Sequence, residues 1–326
     1  MKKFLFLVIL FCWMSPLLYA DLVVTDFGAA GDGKTDCTQA FQAALDEAAK
    51  TGTTVRVPAG QFRIEGNLVV PPDVTLEGTW PGQHAAHLHK GSTLLAFAGR
   101  GEEEGTPFIQ LFTASTLKGV TIFYPEQVLP DIQPYPWTIQ GRGQHYGVQD
   151  CVLVNSYNGI DCGTFHNEGH YLRNVLMCAL KTGVYVDNCS DIGRQENVHI
   201  HPVYWWRVSA PYNLSSEQTA ALNEYTLEHL TGFKIGRTDW EYMTNCFVFI
   251  PRIGFHFGRF LTSPGNAMLT QCGSDAGPTA VLVEDCQAHS GISFSNVQMY
   301  GDIIVSSSNT GPVRFTGSGL FGSPEG

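Results

Sequence analysis

The sequence predicts an all-β chain wound as a single right-handed parallel β-helix, with an N-terminal helical cap and one helical insertion. Three observations carry this. Short motifs recur at a spacing near 24 residues. Each unit holds short β-branched or aromatic runs broken by Gly and Asn. No helical period separates those runs. A repeat of this length without helices is met by coils of short strands stacked in parallel, each burying its apolar side against the next.

Composition permits such a fold and narrows the function. The chain has 326 residues, 44% hydrophobic and 12% aromatic, which supplies a large core. Nineteen basic residues against thirty acidic ones give a formal charge of -11. That balance argues against a broad basic footprint for nucleic acid.

Residues 1–20 read as a secretory leader. Lys2 and Lys3 supply the positive start, Phe4 to Cys12 the apolar stretch, and Leu18-Tyr19-Ala20 the cleavage site. The mature domain then covers 21–326. No other window approaches eighteen apolar residues, so the expectation is a soluble exported protein, secreted or periplasmic, with no membrane span. Export would place eight cysteines (37, 151, 162, 178, 189, 246, 272 and 286) where disulfides are permitted. None forms a C-x-x-C pair, and several fall at core positions, so buried free thiols are the alternative.

The first element of the domain is a helix from Asp36, as cap, to about Lys50, ended by Gly52. Ala40, Phe41, Ala44, Leu45 and Ala48 give it one apolar face, suited to covering the first coil. Strands begin at Thr54-Val55-Arg56-Val57.

The repeat follows. Asp150, Asn174, Asn197 and Asn245 each head a strand, and Gly159, Gly183, Gly232 and Gly254 each head another. The step from the first mark to the second is nine residues in three coils and 35 in the fourth, so about 26 residues are inserted there, over about 204–230. The Asn/Asp heads fit an internal ladder of side chains at a turn. Within the insertion, Leu214 to Leu230 reads as a short helix capped by Ser215 or Ser216. Trp205 and Trp206 before it, with His199 and His201 on the preceding strand, are candidate sugar platforms. Their alternative is packing of the helix onto the coil.

The run Asp26-Phe27-Gly28-Ala29-Ala30-Gly31-Asp32-Gly33-Lys34-Thr35-Asp36-Cys37-Thr38-Gln39-Ala40-Phe41, continued by Val55-Arg56-Val57-Pro58-Ala59-Gly60-Gln61-Phe62-Arg63-Ile64, resembles the opening of the pectate-lyase-like superfamily. That group includes polygalacturonases, rhamnogalacturonases and epimerase-like domains. The resemblance implies a parallel β-helix and carbohydrate chemistry, and leaves the reaction open. The polygalacturonase acids do not carry over. Asn158 stands where the first acid is expected, Lys181-Thr182-Gly183 where the acid pair is, and the Gly-His-Gly and Arg-Ile-Lys elements are missing.

Strand alternation then selects a candidate site. If Ile160, Val184, Phe233 and Phe255 point inward, with Cys162, Val186, Ile235 and Phe257, the residues between them point out. Asp161, Tyr185, Lys234 and His256 would form one outer column, with coils ~4.8 Å apart. Hydrolysis of a glycosidic bond requires two carboxylates, and Asp161 with Asp187 is the first pairing, ahead of Glu196, Asp239 and Glu241. The leading expectation is therefore a polysaccharide hydrolase. Elimination on uronate-rich chains is the alternative, with Lys234, His256 or Tyr185 as base and Arg237 and Arg259 binding anionic sugar. A carbohydrate-binding β-helix without activity is the third. No cofactor is expected, although a carboxylate calcium site stays open. His166-Asn167-Glu168-Gly169-His170 has the His spacing of a zinc motif but lacks the helix and the Glu directly after the first His, so no metal ligands are assigned.

Overall fold

The computed structural model describes residues 21–80, 82 and 87–322; the expected leader lies outside them. Twenty-six strands, paired parallel throughout, join in one continuous sheet among the described residues. The sheet winds on itself, so each strand pairs with its equivalent one coil away.

Three in-register columns trace three faces. One runs Val152, Leu176, His199, Phe247, Gly273, Gln298. The second runs Ile160, Val184, Phe233, Phe255, Val281, Ile303. The third runs Tyr171, Arg194, Tyr242, Met268, Ser293, Arg314. The inward residues of the second face, Ile160 to Phe255 and Cys162 to Phe257, are buried as the alternation requires. Like side chains stack along the axis: Phe233 lies 4.9 Å from Phe255 with rings 7° apart, and Phe294 lies 4.5 Å from Phe315 with rings 3° apart. Burial of Phe233, Phe255 and Phe294 contributes roughly 1.5–3 kcal/mol each.

The corner between the third and first faces is set by the Asn/Asp heads. Asp150, Asn174, Asn197, Asn245 and Asn296 all hold positive φ, between 53° and 55°. This is the left-handed region that Asn tolerates better than other side chains. Asn174 Nδ2 donates to Asp150 Oδ1 at 2.9 Å, and Asn197 Nδ2 donates to Asn174 Oδ1 at 2.8 Å. The ladder differs from expectation in position. Asn197 is exposed and Asn174 half-buried, so it runs along the surface of the corner and not inside the coil.

Helix α1 spans Thr38–Ala48 and buries Phe41, Ala44, Leu45 and Ala48. Its N-cap is Cys37, one residue later than expected, while the Asp36 carboxylate accepts from the Thr38 amide at 3.0 Å. The coil is left after strand Gly193–Ile200 and rejoined at Thr231–Ile235. Between them lie α2 (Val203–Trp206) and α3 (Ser216–His229). Ser215 caps α3 with a reciprocal Ser215–Gln218 box. Strands on either side of the insertion stay paired, with Val184 opposite Phe233.

The insertion packs Tyr204, Trp205, Val208 and Leu222 onto Val152, Val154, Leu176, Cys178 and Leu180 as a second apolar cluster. This corrects the platform reading. Trp205 is 2% exposed, and Trp206 is half-buried at the edge of the same cluster, so both tryptophans cement the insertion onto the first face. All eight described cysteines are buried free thiols.

Candidate functional site

The expected column exists in register. Asp161 pairs with Tyr185, Tyr185 with Lys234, and Lys234 with His256, on four successive coils. The four members differ in what they present to solvent.

Asp161 is fully buried. Gln140, from the coil before, donates to its Oδ2 at 2.8 Å, and the amides of Gly163 and Thr164 donate to Oδ1 at 2.8 and 2.9 Å. Asp187 is also fully buried. It accepts from the Asn188 amide at 2.6 Å, Leu261 amide at 3.0 Å, Thr262 hydroxyl at 2.5 Å and Tyr185 hydroxyl at 3.2 Å. A Cβ on Gly236 would lie 2.1 Å from its Oδ2, so only glycine leaves room for this carboxylate. Asp161 thus accepts three hydrogen bonds and Asp187 four, all from neighbouring strands and loops of the chain. The Asp161–Asp187 pairing is therefore corrected: neither acid opens onto a sugar.

Tyr185 and Lys234 face a cleft of about 360 Å³, lined also by Glu103, Glu104, Trp137, Asn158, Lys181 and Phe260. Lys234 Nζ lies 5.1 Å from the Tyr185 ring centroid and 4.5 Å from that of Phe260. Burial lowers its pKa, and the charge of Lys181 lowers it further. Tyr185 is shifted the other way, first by burial and then by the Asp187 carboxylate. The Trp137 ring lies nearly parallel to it, 6.2 Å away at 17°. Trp137 reaches this position because it pairs with Asn158, one coil further on.

His256 sits behind this cleft. Its ring packs edge-on against Phe260 at 4.9 Å, and Nε2 is 3.3 Å from Glu284. Its pKa is lowered, first by burial and further by Lys234 and Arg252, against the opposing pull of Glu284.

The remaining expected residues lie elsewhere. His199 and His201 belong to the first face, where Tyr204 and His199 Nδ1 share a 2.7 Å hydrogen bond and His201 stacks on Phe249 at 4.4 Å. Burial lowers the pKa of both, that of His201 to about 4. Arg237 donates to the Cys189 carbonyl at 3.4 Å, and Arg259 is exposed beside Asp285 at 3.6 Å. Glu196 accepts from the Tyr171 hydroxyl at 2.7 Å, Asp239 lies beside Asn266, and Glu241 is wholly buried against His170 at 3.1 Å. None of these lines the cleft. Among the described residues, no cluster of three or more His, Cys, Asp or Glu has the arrangement to hold a metal ion.

Strand alternation did not select Glu103, Glu104, Trp137, Lys181 or Phe260. Glu103 and Glu104 come from a non-repeating excursion before strand Ile109–Leu111. Lys181 and Trp137 were accessible to sequence reasoning: Lys181 stands at a position where polygalacturonases carry an acid, and Trp137 lies one coil before Asn158.

Comparison with known proteins agrees with the resemblance. The family described as rhamnogalacturonase A/epimerase, pectate lyase-like, matches residues 22–87. Alginate lyase 7 of Azotobacter vinelandii is 42% identical over 76 residues, which is 21% of this chain and 9% of that protein. Mannuronan C5-epimerase AlgE4 of the same organism is 40% identical over 80 residues, 22% of this chain and 14% of that protein. The matched stretch is thus a small part of these relatives. A DFA-IIIase structure from Arthrobacter chlorophenolicus A6, in complex with GF2, covers 92% of this chain and 79% of its own at 10% identity, with a TM-score of 0.53, a likeness of fold. The chain resembles pectate-lyase-like proteins over residues 22–87 and shares its fold with the DFA-IIIase structure. No described helix is long and apolar enough to cross a membrane.

Proposed function

From a pectate-lyase-like opening stretch and the cleft that the later coils build, we propose that the protein is an exported polysaccharide lyase acting on uronate-containing glycans. One observation supports this above others. The two positions at which a polygalacturonase would present acids are here Asn158 and Lys181, and both line the cleft beside Lys234. An amine and a neutral amide at those positions, with the Lys234 amine beside them, favour a carboxylate ligand over acid-pair hydrolysis. On the same reading, the solenoid is right-handed and α1 is its N-terminal cap.

The chemistry assigns one role to each group. The ring of a sugar rests against Trp137. Lys181 neutralises the uronate carboxylate and the negative charge that grows on it as the adjacent carbon loses its proton. Lys234, whose lowered pKa brings it nearer the neutral amine, takes that proton. Tyr185 stays a phenol, its pKa raised first by burial; to act as the acid its hydroxyl turns from Asp187, to which it donates at 3.2 Å, and gives its proton to the leaving glycosidic oxygen. The carbon–oxygen bond breaks and a carbon–carbon double bond forms. One product ends in an unsaturated uronate and the other in a free hydroxyl.

The test is incubation with neutral and uronate-rich polysaccharides. Appearance of the ultraviolet absorbance of an unsaturated uronate supports elimination; inversion at the same carbon without cleavage would identify an epimerase. A second reading is favoured by Glu103 and Glu104, both on the cleft wall: reducing ends without that absorbance would identify hydrolysis. Retained binding with no product from any glycan would leave a carbohydrate-binding protein.

A further inference from the structure

Glu103 lies 78 residues from Lys181 in sequence, yet its Oε1 is ion-paired with Lys181 Nζ. The same oxygen accepts from Asn158 Nδ2 at 3.4 Å. One carboxylate oxygen therefore sits between the two cleft residues that distinguish this site chemically. Its carrier is built to hold it there. The excursion turns at Gly99 and Gly101, whose φ values of 81° and 85° are left-handed. Gly101 is tied by its amide to the Pro134 carbonyl at 2.8 Å. The far side is tied by Asn67 Nδ2 to the carbonyls of Thr106 and Pro107 at 3.1 and 3.0 Å. Between these anchors, the tip carrying Glu103 leans over the cleft.

The position of that tip also divides the surface. A second cleft of about 320 Å³, lined by Gln140, Arg142 and Phe165, adjoins the first. Glu103, Glu104, Trp137 and Thr164 line both. The acidic tip is the partition between them.

We infer that Glu103 occupies a carboxylate-binding subsite formed by Lys181 and Asn158, and that a ligand carboxylate must displace it to bind. A cation already paired with a resident carboxylate accepts a second only by releasing the first, or at the cost of placing like charges side by side. Displacement frees the tip, so occupancy of the subsite and joining of the two clefts become one event. The inference deepens the uronate reading and rests on it for the identity of the natural carboxylate. The subsite itself can be probed with acetate alone.

The experiment is titration calorimetry of the whole chain with acetate, galacturonate and glucose. Glu103→Gln keeps the shape of the side chain and removes its charge. Acetate and galacturonate should then bind about two- to fivefold tighter, the range for a partly exposed ion pair. Glucose should be unaffected. Lys181→Met should abolish the gain, so that the double variant binds acetate no better than Lys181→Met alone. Amide hydrogen exchange in residues 99–107 should quicken in Glu103→Gln, and in the wild type on adding galacturonate. Unchanged or weaker acetate binding by Glu103→Gln overturns the inference, as does an equal gain in the Lys181→Met background. Tighter acetate binding without unsaturated product from any polymer keeps the subsite and removes the lyase reading. Product formation without the acetate effect does the reverse.

Discussion

Tyr185 and Lys234 are in-register partners on successive coils, and the ammonium of one lies 5.1 Å from the ring centroid of the other. Burial acts on both in opposite senses: it holds the phenol protonated and draws the amine toward neutrality.

If Lys234 is the base, turnover needs its neutral form. The rate should rise with pH through a midpoint below the usual lysine value of 10.5. Lys234→Met should lower kcat by about 10²-fold or more, the usual worth of a positioned base. A profile whose midpoint stays at or above 10.5, or a Lys234→Met enzyme of near wild-type rate, counts against the assignment.

Tyr185→Phe retains the ring beside Trp137 and loses only the hydroxyl. It should fold normally, bind substrate with similar KM, and lose about 10²-fold in kcat. Equal kcat in both proteins would remove Tyr185 as the proton donor.

Asp187 separates the two enzymatic readings through stability. Asp187→Asn forfeits charge-assisted bonds from Thr262 and Leu261 and should cost about 1–3 kcal/mol in denaturant unfolding. A variant as stable as wild type but inactive would instead mark this acid as a hydrolytic group.

The buried His170–Glu241 pair predicts a pH signature. Burial opposes a charged imidazole, but Glu241 together with Cys162 and Cys189 outweighs it and raises the His170 pKa well above its usual range. A folded-state pKa above the unfolded one stabilises the fold fully below the unfolded value, and loses that contribution as pH climbs through the folded value. His170→Asn should therefore be destabilised by about 3–5 kcal/mol at pH 6, and by progressively less at alkaline pH. A deficit that grows with pH would show that the pair is neutral.

The corner ladder can be dissected at Asn174, whose φ is 54°. Asn174→Gly removes the bonds to Asp150 and Asn197 but suits the left-handed backbone; Asn174→Ala removes them and adds strain. Ala should be about 1–2 kcal/mol less stable than Gly in thermal or denaturant unfolding. Equal stabilities would show that the turn relaxes.

The winding and the outer column were legible because a stacked coil converts a spacing of about two dozen residues into direct contact. Asp161, Tyr185, Lys234 and His256 could thus be placed together from numbering alone. Their accessibility could not. Asp161 is covered by Gln140, and Asp187 is enclosed by a loop through Leu261 and Thr262, both outside the period of the motif. Trp205 and Trp206 offered the same difficulty, since an aromatic next to an insertion suits a platform and a hinge of packing equally. Glu103 was invisible because nothing in a repeat constrains an excursion that leaves it.

The chain departs from the stack at Ile200 and re-enters at Thr231 with Val184 still opposite Phe233. The spine therefore takes no account of how long that detour is. Segments of other lengths spliced between those two residues, if they reproduce the apolar footing over Val152 and Leu176, should leave the scaffold standing while remodelling the rim beside it. The architecture in this way keeps the task of holding shape apart from the task of choosing a guest.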